Sequence, residues 1–126
     1  MWPRPPRADL PGVPPIETMP DAVVDRDRLR GLQQTYGDLA TELVTLFEQT
    51  AAESLAELRS AVAAGDAEGI RGVAHRLKGG ARNVGATGLA ELTFAIEKGT
   101  VAPGPGVDRL AAALDPACTA LRAAIG

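Results

Sequence analysis

Residues 66–86 read DAEGIRGVAHRLKGGARNVGA. On a helix at about 100° per residue, Ile70, Val73, Ala74, Leu77, Ala81 and Val84 fall on one stripe. Asp66 precedes that stripe as an N-cap, and Gly85 follows it as a C-terminal stop, so the pattern predicts a helix over about 67–84. The chain's single histidine, His75, lies off the stripe. Arg71, His75, Lys78 and Arg82 stand at i, i+4, i+7 and i+11 and share a second face, with Gly72 and Gly79 on it. A glycine inside a helix costs roughly 1 kcal/mol relative to alanine. In a chain rich in alanine, Gly72, Gly79 and Gly80 need a compensating reason, and close approach by another backbone or protein is the usual one. The face reads as a site that lets something flat and anionic reach His75.

Helical signals continue on both sides. A short helix over about 25–36 places Leu29, Leu32 and Tyr36 together, and Gly37 ends it. A long helix over about 38–64, roughly 40 Å at 1.5 Å per residue, carries the stripe Leu39, Leu43, Leu46, Phe47, Thr50, Ser54, Leu58 and Val62. The link Gly65-Asp66 is so short that this helix and the next must be antiparallel neighbours. After the corner Gly85-Ala86-Thr87, with Thr87 as a cap, a helix over about 88–98 buries Leu89, Leu92, Thr93 and Ile96. Residues 99–106, containing Pro103-Gly104-Pro105-Gly106, read as a loop. The last helix, about 107–125, runs through Leu110, Leu114, Cys118, Leu121 and Ile125 with a kink expected at Pro116. No strand pattern occurs. The fold class is therefore all-α: an antiparallel up-down four-helix bundle with an additional short N-terminal helix.

The 126 residues are 45% apolar but only 3% aromatic, so one domain with a core of Leu, Val, Ile and Ala is expected. Residues 1–20 hold prolines at 3, 5, 6, 11, 14, 15 and 20, which predicts a Pro-rich disordered tail ahead of a bundle domain over 21–126. No core stripe uses a residue before Val23. Met19, followed by Pro20-Asp21, is a second candidate start of translation beside Met1. A net charge of −3 argues against a nucleic-acid partner. No apolar run is long enough for a membrane span or a secretory signal, and the single Cys118 fits a reducing cytoplasm.

The chemistry available to one histidine is narrow. Cys118 lies on a core stripe of another helix, so no nucleophile–base pair is evident. Neither Cys/His spacing nor a two-carboxylate helix motif offers a metal site. A phosphate-binding glycine loop would need a strand feeding it. What remains is imidazole as the nucleophile, since an unperturbed ring with a pKa of about 6.5 has a free nitrogen at neutral pH. Lys78, Arg71 and Arg82 would favour the neutral ring and then sit near a phosphoryl group.

His75-Arg76-Leu77-Lys78-Gly79, followed by Gly85-Ala86, Leu89 and the Leu92–Ile96–Glu97 stretch, resembles the signature of histidine-containing phosphotransfer (HPt) domains over about residues 22–125. The resemblance implies a two-component phosphorelay protein, cytoplasmic and monomeric. In it, His75 takes a phosphoryl group on Nε2 from the aspartate of one response-regulator receiver domain and passes it to another. It implies no cofactor of the chain's own, Mg²⁺ and acidic residues being the receiver's, and no autonomous kinase activity. A hybrid histidine kinase is the implied upstream partner, and a free-standing protein is expected. Lys78 matches the family's lysine, and Gly79 the small residue that lets the receiver dock. Arg71, Gly72 and Arg82 support the face by geometry alone, and Arg82 stands where it can tune partner choice. The competing reading is an HPt-like adaptor that docks and inhibits a receiver or kinase without transfer.

Overall fold

The computed structural model describes residues 20–125, so the expected behaviour of the Pro-rich stretch 1–19 lies outside the described residues. Every regular element among the described residues is helical: a 3-10 turn at Pro20–Ala22, then α1 (Arg26–Tyr36), α2 (Leu39–Ala64), α3 (Ala67–Val84), α4 (Thr87–Lys98) and α5 (Pro103–Ile125). Aspartates start two helices by capping. The Asp25 carboxylate accepts from the Arg28 N–H at 3.0 Å, and that of Asp66 accepts from the Gly69 N–H at 3.0 Å. At the α3–α4 corner Gly85 has φ +85°, and a Cβ there would meet the Asp25 carbonyl at 3.2 Å. Only glycine turns the chain there while the Asp25 N–H donates to the Gly85 carbonyl at 2.7 Å.

α2 packs on α3 and α5, and α4 packs on the same two, which closes a ring of four antiparallel helices. α1 lies across α2, α3 and α5, as the additional short helix. Leucine, isoleucine and valine side chains such as Leu58, Leu77, Leu89, Ile96, Leu110 and Leu121 fill the centre. Buried alanines between them, including Ala74, Ala81 and Ala117, let neighbouring helices approach closely.

Four expectations are corrected. The buried seam of α2 is Ala40, Val44, Phe47, Ala51, Ser54 and Leu58, not the stripe through Leu39, Leu43, Leu46 and Thr50. The seam spaces at i, i+4, i+7, i+11 within an arc of about 80°, and the three leucines lie roughly 60–120° around from its centre. Phe47, Ser54 and Leu58 of the expected stripe lie on this seam, whereas its N-terminal part, fitted to the largest side chains, falls outside it because close packing there favours alanine. The proline–glycine run is not a loop up to Gly106, since α5 already begins at Pro103. The first four N–H groups of a helix have no internal partner, so Pro103 and Pro105 cost nothing there. Gly106 is buried, and a Cβ would come 2.8 Å from Ile96 Cγ1, so its lack of a side chain admits α4. Thr87 is the first residue of α4 and not its cap; its hydroxyl donates to the Val23 carbonyl at 3.2 Å. Finally, the core begins at Ala22, which is fully buried, and Asp21 beside it accepts two bonds from Arg109 at 2.9 and 3.1 Å. α5 continues through Pro116 as one helix.

Candidate functional site

His75 stands midway along α3 with its side chain 66% exposed, off a stripe whose six members are all buried. Antiparallel packing brings α4 alongside, so that residues whose numbers sum to about 172 face each other across the Gly85-Ala86 corner. His75 meets Glu97 and Lys78 meets Phe94 by this rule. His75 Nδ1 is 2.9 Å from Glu97 Oε2, and Lys78 Nζ donates to Glu97 Oε1 at 2.7 Å. The Lys78 ammonium also lies 4.7 Å from the centre of the Phe94 ring.

The hydrogen bond from Lys78 is the main cause holding the Glu97 carboxyl below its ordinary value of 4.5, with the bond from His75 adding to it against partial desolvation. An ionised carboxylate only accepts. Nδ1 is therefore the donor, and in the neutral ring this leaves the Nε2 lone pair free and pointing away from Glu97. The sequence places a histidine; its tautomer and orientation come from a carboxylate 22 residues away.

Lys78 departs from expectation. It shares the helix face in projection, but its side chain is only 11% exposed and its charge is committed to Glu97. Its influence on the ring passes through that carboxylate, not through open solvent. Gly79 and Gly72 are exposed, and a Cβ at either would meet nothing within 4 Å. No neighbour among the described residues requires either glycine, and at Gly80 a Cβ would make only ordinary contact with Phe47 at 3.6 Å. Arg71 lies on the surface with a weak contact to Glu68 at 3.8 Å. Arg82 is exposed, its guanidinium 5.9 Å from the Phe94 ring. Glu97, Phe94 and Lys98 were not among the expected site residues. Their signal was the pairing register across the corner, which turns a helix boundary into a contact list.

Elsewhere the candidates are silent. Burial pushes the Cys118 thiol up to about 11, so no thiolate is available near neutral pH. Among the described residues no three His, Cys, Asp or Glu side chains are grouped to hold a metal ion, and no helix is long and apolar enough to cross a membrane.

The Glu97 environment makes a pH prediction. The folded-state carboxyl titrates below the unfolded one, so between the two values the unfolded chain binds more protons. Its stabilisation is present above pH 4.5 and lost as pH falls through the depressed folded value. Glu97→Gln should therefore lower the melting temperature at neutral pH, with the gap to wild type narrowing below pH 4.5. A gap that stays constant down the acid limb would show that Glu97 is not ion-paired in solution.

Comparison with known proteins bears on the family and the fold. The family model described as the Hpt domain matches residues 42–124, which include α3, α4 and most of α2 and α5. The crystal structure of histidine-containing phosphotransfer protein B from Pseudomonas aeruginosa PAO1 is similar to the chain, with a TM-score of 0.54 and 27% identity. The match covers 81% of this chain and 87% of that one. No curated protein sequence gives a significant match.

Proposed function

Because the chain belongs to the Hpt domain family, we propose that it is a phosphorelay carrier, moving a phosphoryl group on His75 Nε2 between receiver aspartates. The observation that carries this reading is the Nδ1–Glu97 contact, which turns Nε2 away from the carboxylate on a largely exposed ring. In the accepting step the Nε2 lone pair attacks phosphorus. The Nε2–P bond forms, the bond to the aspartyl oxygen breaks, and its electron pair leaves on the carboxylate. The Nδ1 proton stays in place, so the phosphorylated ring is cationic and is stabilised by the Glu97 carboxylate beside it. In the onward step a second carboxylate attacks phosphorus and the pair returns to Nε2. A Mg²⁺ ion, with the acidic residues that bind it, belongs to the receiver in this scheme, and the exchange takes place in the cytoplasm.

A docking surface adjoins the nucleophile. The large apolar side chains exposed among the described residues, Tyr36, Leu39, Leu43 and Leu46, all line one cleft of about 710 Å³ between α1, α2 and the end of α3. Asn83 of α3 also lines it, two turns beyond His75 and one beyond Gly79. The cleft thus continues the glycine-flattened side of the acceptor face, and a receiver seated on His75 would cover it. Leu46→Ser should weaken receiver binding about tenfold with little change in melting temperature, since Leu46 is 58% exposed. Unchanged affinity by titration would remove the cleft from the interface.

The decisive experiment is incubation with phosphorylated receiver domains, followed by a stability test of any label. A phosphoryl group on histidine is lost in acid and kept in base. Label with that signature supports the carrier. A chain that binds receivers and slows them without acquiring label is the adaptor instead.

A further inference from the structure

Building on the carrier reading of His75, we propose that Phe94 holds Arg82 and Lys98 as a cationic rim on the α4 flank of the site. The rim orients and selects partners that bring an anionic, carboxyl-borne phosphoryl group.

Phe94 is half-buried on α4, one turn before Glu97. Lys98 Nζ lies 5.3 Å and the Arg82 guanidinium 5.9 Å from its ring centre, on the same ring that Lys78 approaches. Such distances place a cation in the attractive field of an aromatic face. Seven of the described lysines and arginines, Lys78 among them, reach a carboxylate. Arg82 and Lys98 have no such partner among the described residues, and the ring is what holds them. Their charges remain available to a visitor.

Their position gives that availability a use. Arg82 stands two turns from His75, about 10 Å along the α3 axis, and Lys98 directly follows Glu97. The whole chain carries a charge of −3, which disfavours an anionic partner at long range. Two cations without a carboxylate partner add positive charge on this flank, and screening limits its reach to about 8 Å. The opposite flank is unlike this one, for Arg76 is paired with Glu57 and the cleft beyond is mainly apolar, its Arg28 and Glu42 being of opposite charge. A partner therefore has one favourable orientation, with its apolar surface toward α1 and α2 and its anionic pocket over α4. Both cations also sit in the last turns of α3 and α4, where they favour the helix dipoles. That structural role involves no partner and would change melting temperature, not transfer.

The test uses the full chain and the receiver domains of the same genome, phosphorylated with acetyl phosphate, the fastest donor being kept for kinetics. Transfer is measured at low and high sodium chloride for wild type, Arg82→Gln/Lys98→Gln, Arg82→Lys/Lys98→Arg and Phe94→Leu. Direct labelling of His75 by phosphoramidate and the melting temperature are read on each preparation. The doubly neutral variant should lose about tenfold in kcat/KM at low salt, through KM, with the difference vanishing at high salt. The charge-keeping variant should transfer like wild type, and Phe94→Leu should lose about threefold with both charges intact. Labelling by phosphoramidate should be equal in all four. Equal kcat/KM for wild type and the doubly neutral variant at low salt overturns the rim, as does a loss that persists at high salt. Phe94→Leu indistinguishable from wild type overturns the role of the ring. A wild-type chain labelled by phosphoramidate but by no receiver defeats the carrier reading, and the rim with it.

Discussion

His75→Gln should reduce phosphoryl acceptance to background, a loss of at least about a thousandfold, while the chain keeps its helicity and its affinity for receivers. The ring is exposed, and glutamine suits a helix and can still offer an N–H to Glu97, so the stability change should stay within about 0.5 kcal/mol. No second imidazole or available thiolate can take over. His75 is the single histidine of the chain, and the Cys118 thiol is buried and titrates near 11. Glu97→Gln is the graded companion: it keeps the nucleophile but removes the charge that fixes the tautomer and offsets the phosphorylated ring. Transfer should fall about tenfold, the worth of one charge-assisted hydrogen bond. Receiver-derived label on the His75→Gln protein would place the acceptor elsewhere. Equal rates for Glu97→Gln and wild type would reduce the carboxylate to a structural partner of Lys78.

Gly79→Leu separates folding from function most sharply. A Cβ at Gly79 meets nothing within 4 Å, and the backbone there is ordinary helix. Replacing an exposed mid-helix glycine should hold or raise stability, by up to about 1 kcal/mol. The same leucine would project from the docking face one turn from His75 and hold a receiver away from Nε2. A displacement of about 1 Å can cost a hundredfold in rate, and this one is larger. Gly106→Ala supplies the contrast, because its methyl would press on Ile96 at 2.8 Å inside the bundle. It should lower the melting temperature while leaving the chemistry of the folded fraction intact. A marked drop in melting temperature for Gly79→Leu, or transfer at the wild-type rate, would defeat the docking-face reading.

The helices and the exposed position of His75 were legible in the sequence because they depend on local rules. Capping aspartates, stop glycines and a 3.6-residue period bound α3 to its observed ends, and the same period set His75 off the buried stripe. Local rules failed where the outcome depends on what lies opposite. The leucines of α2 turn outward because its neighbours approach closely enough to prefer Ala40 and Ala51, and the leucines then line a cleft instead of the core. The prolines at 103 and 105 were read as breakers, yet a first helical turn needs none of the N–H groups they lack. Most of all, the state of the imidazole was decided by tertiary structure. Helical spacing ranked Lys78 as an open charge beside His75, but the antiparallel register of α4 interposes Glu97 between them. Periodicity reports which face a residue occupies. Only the packed neighbour determines which atom of that residue is left free to react.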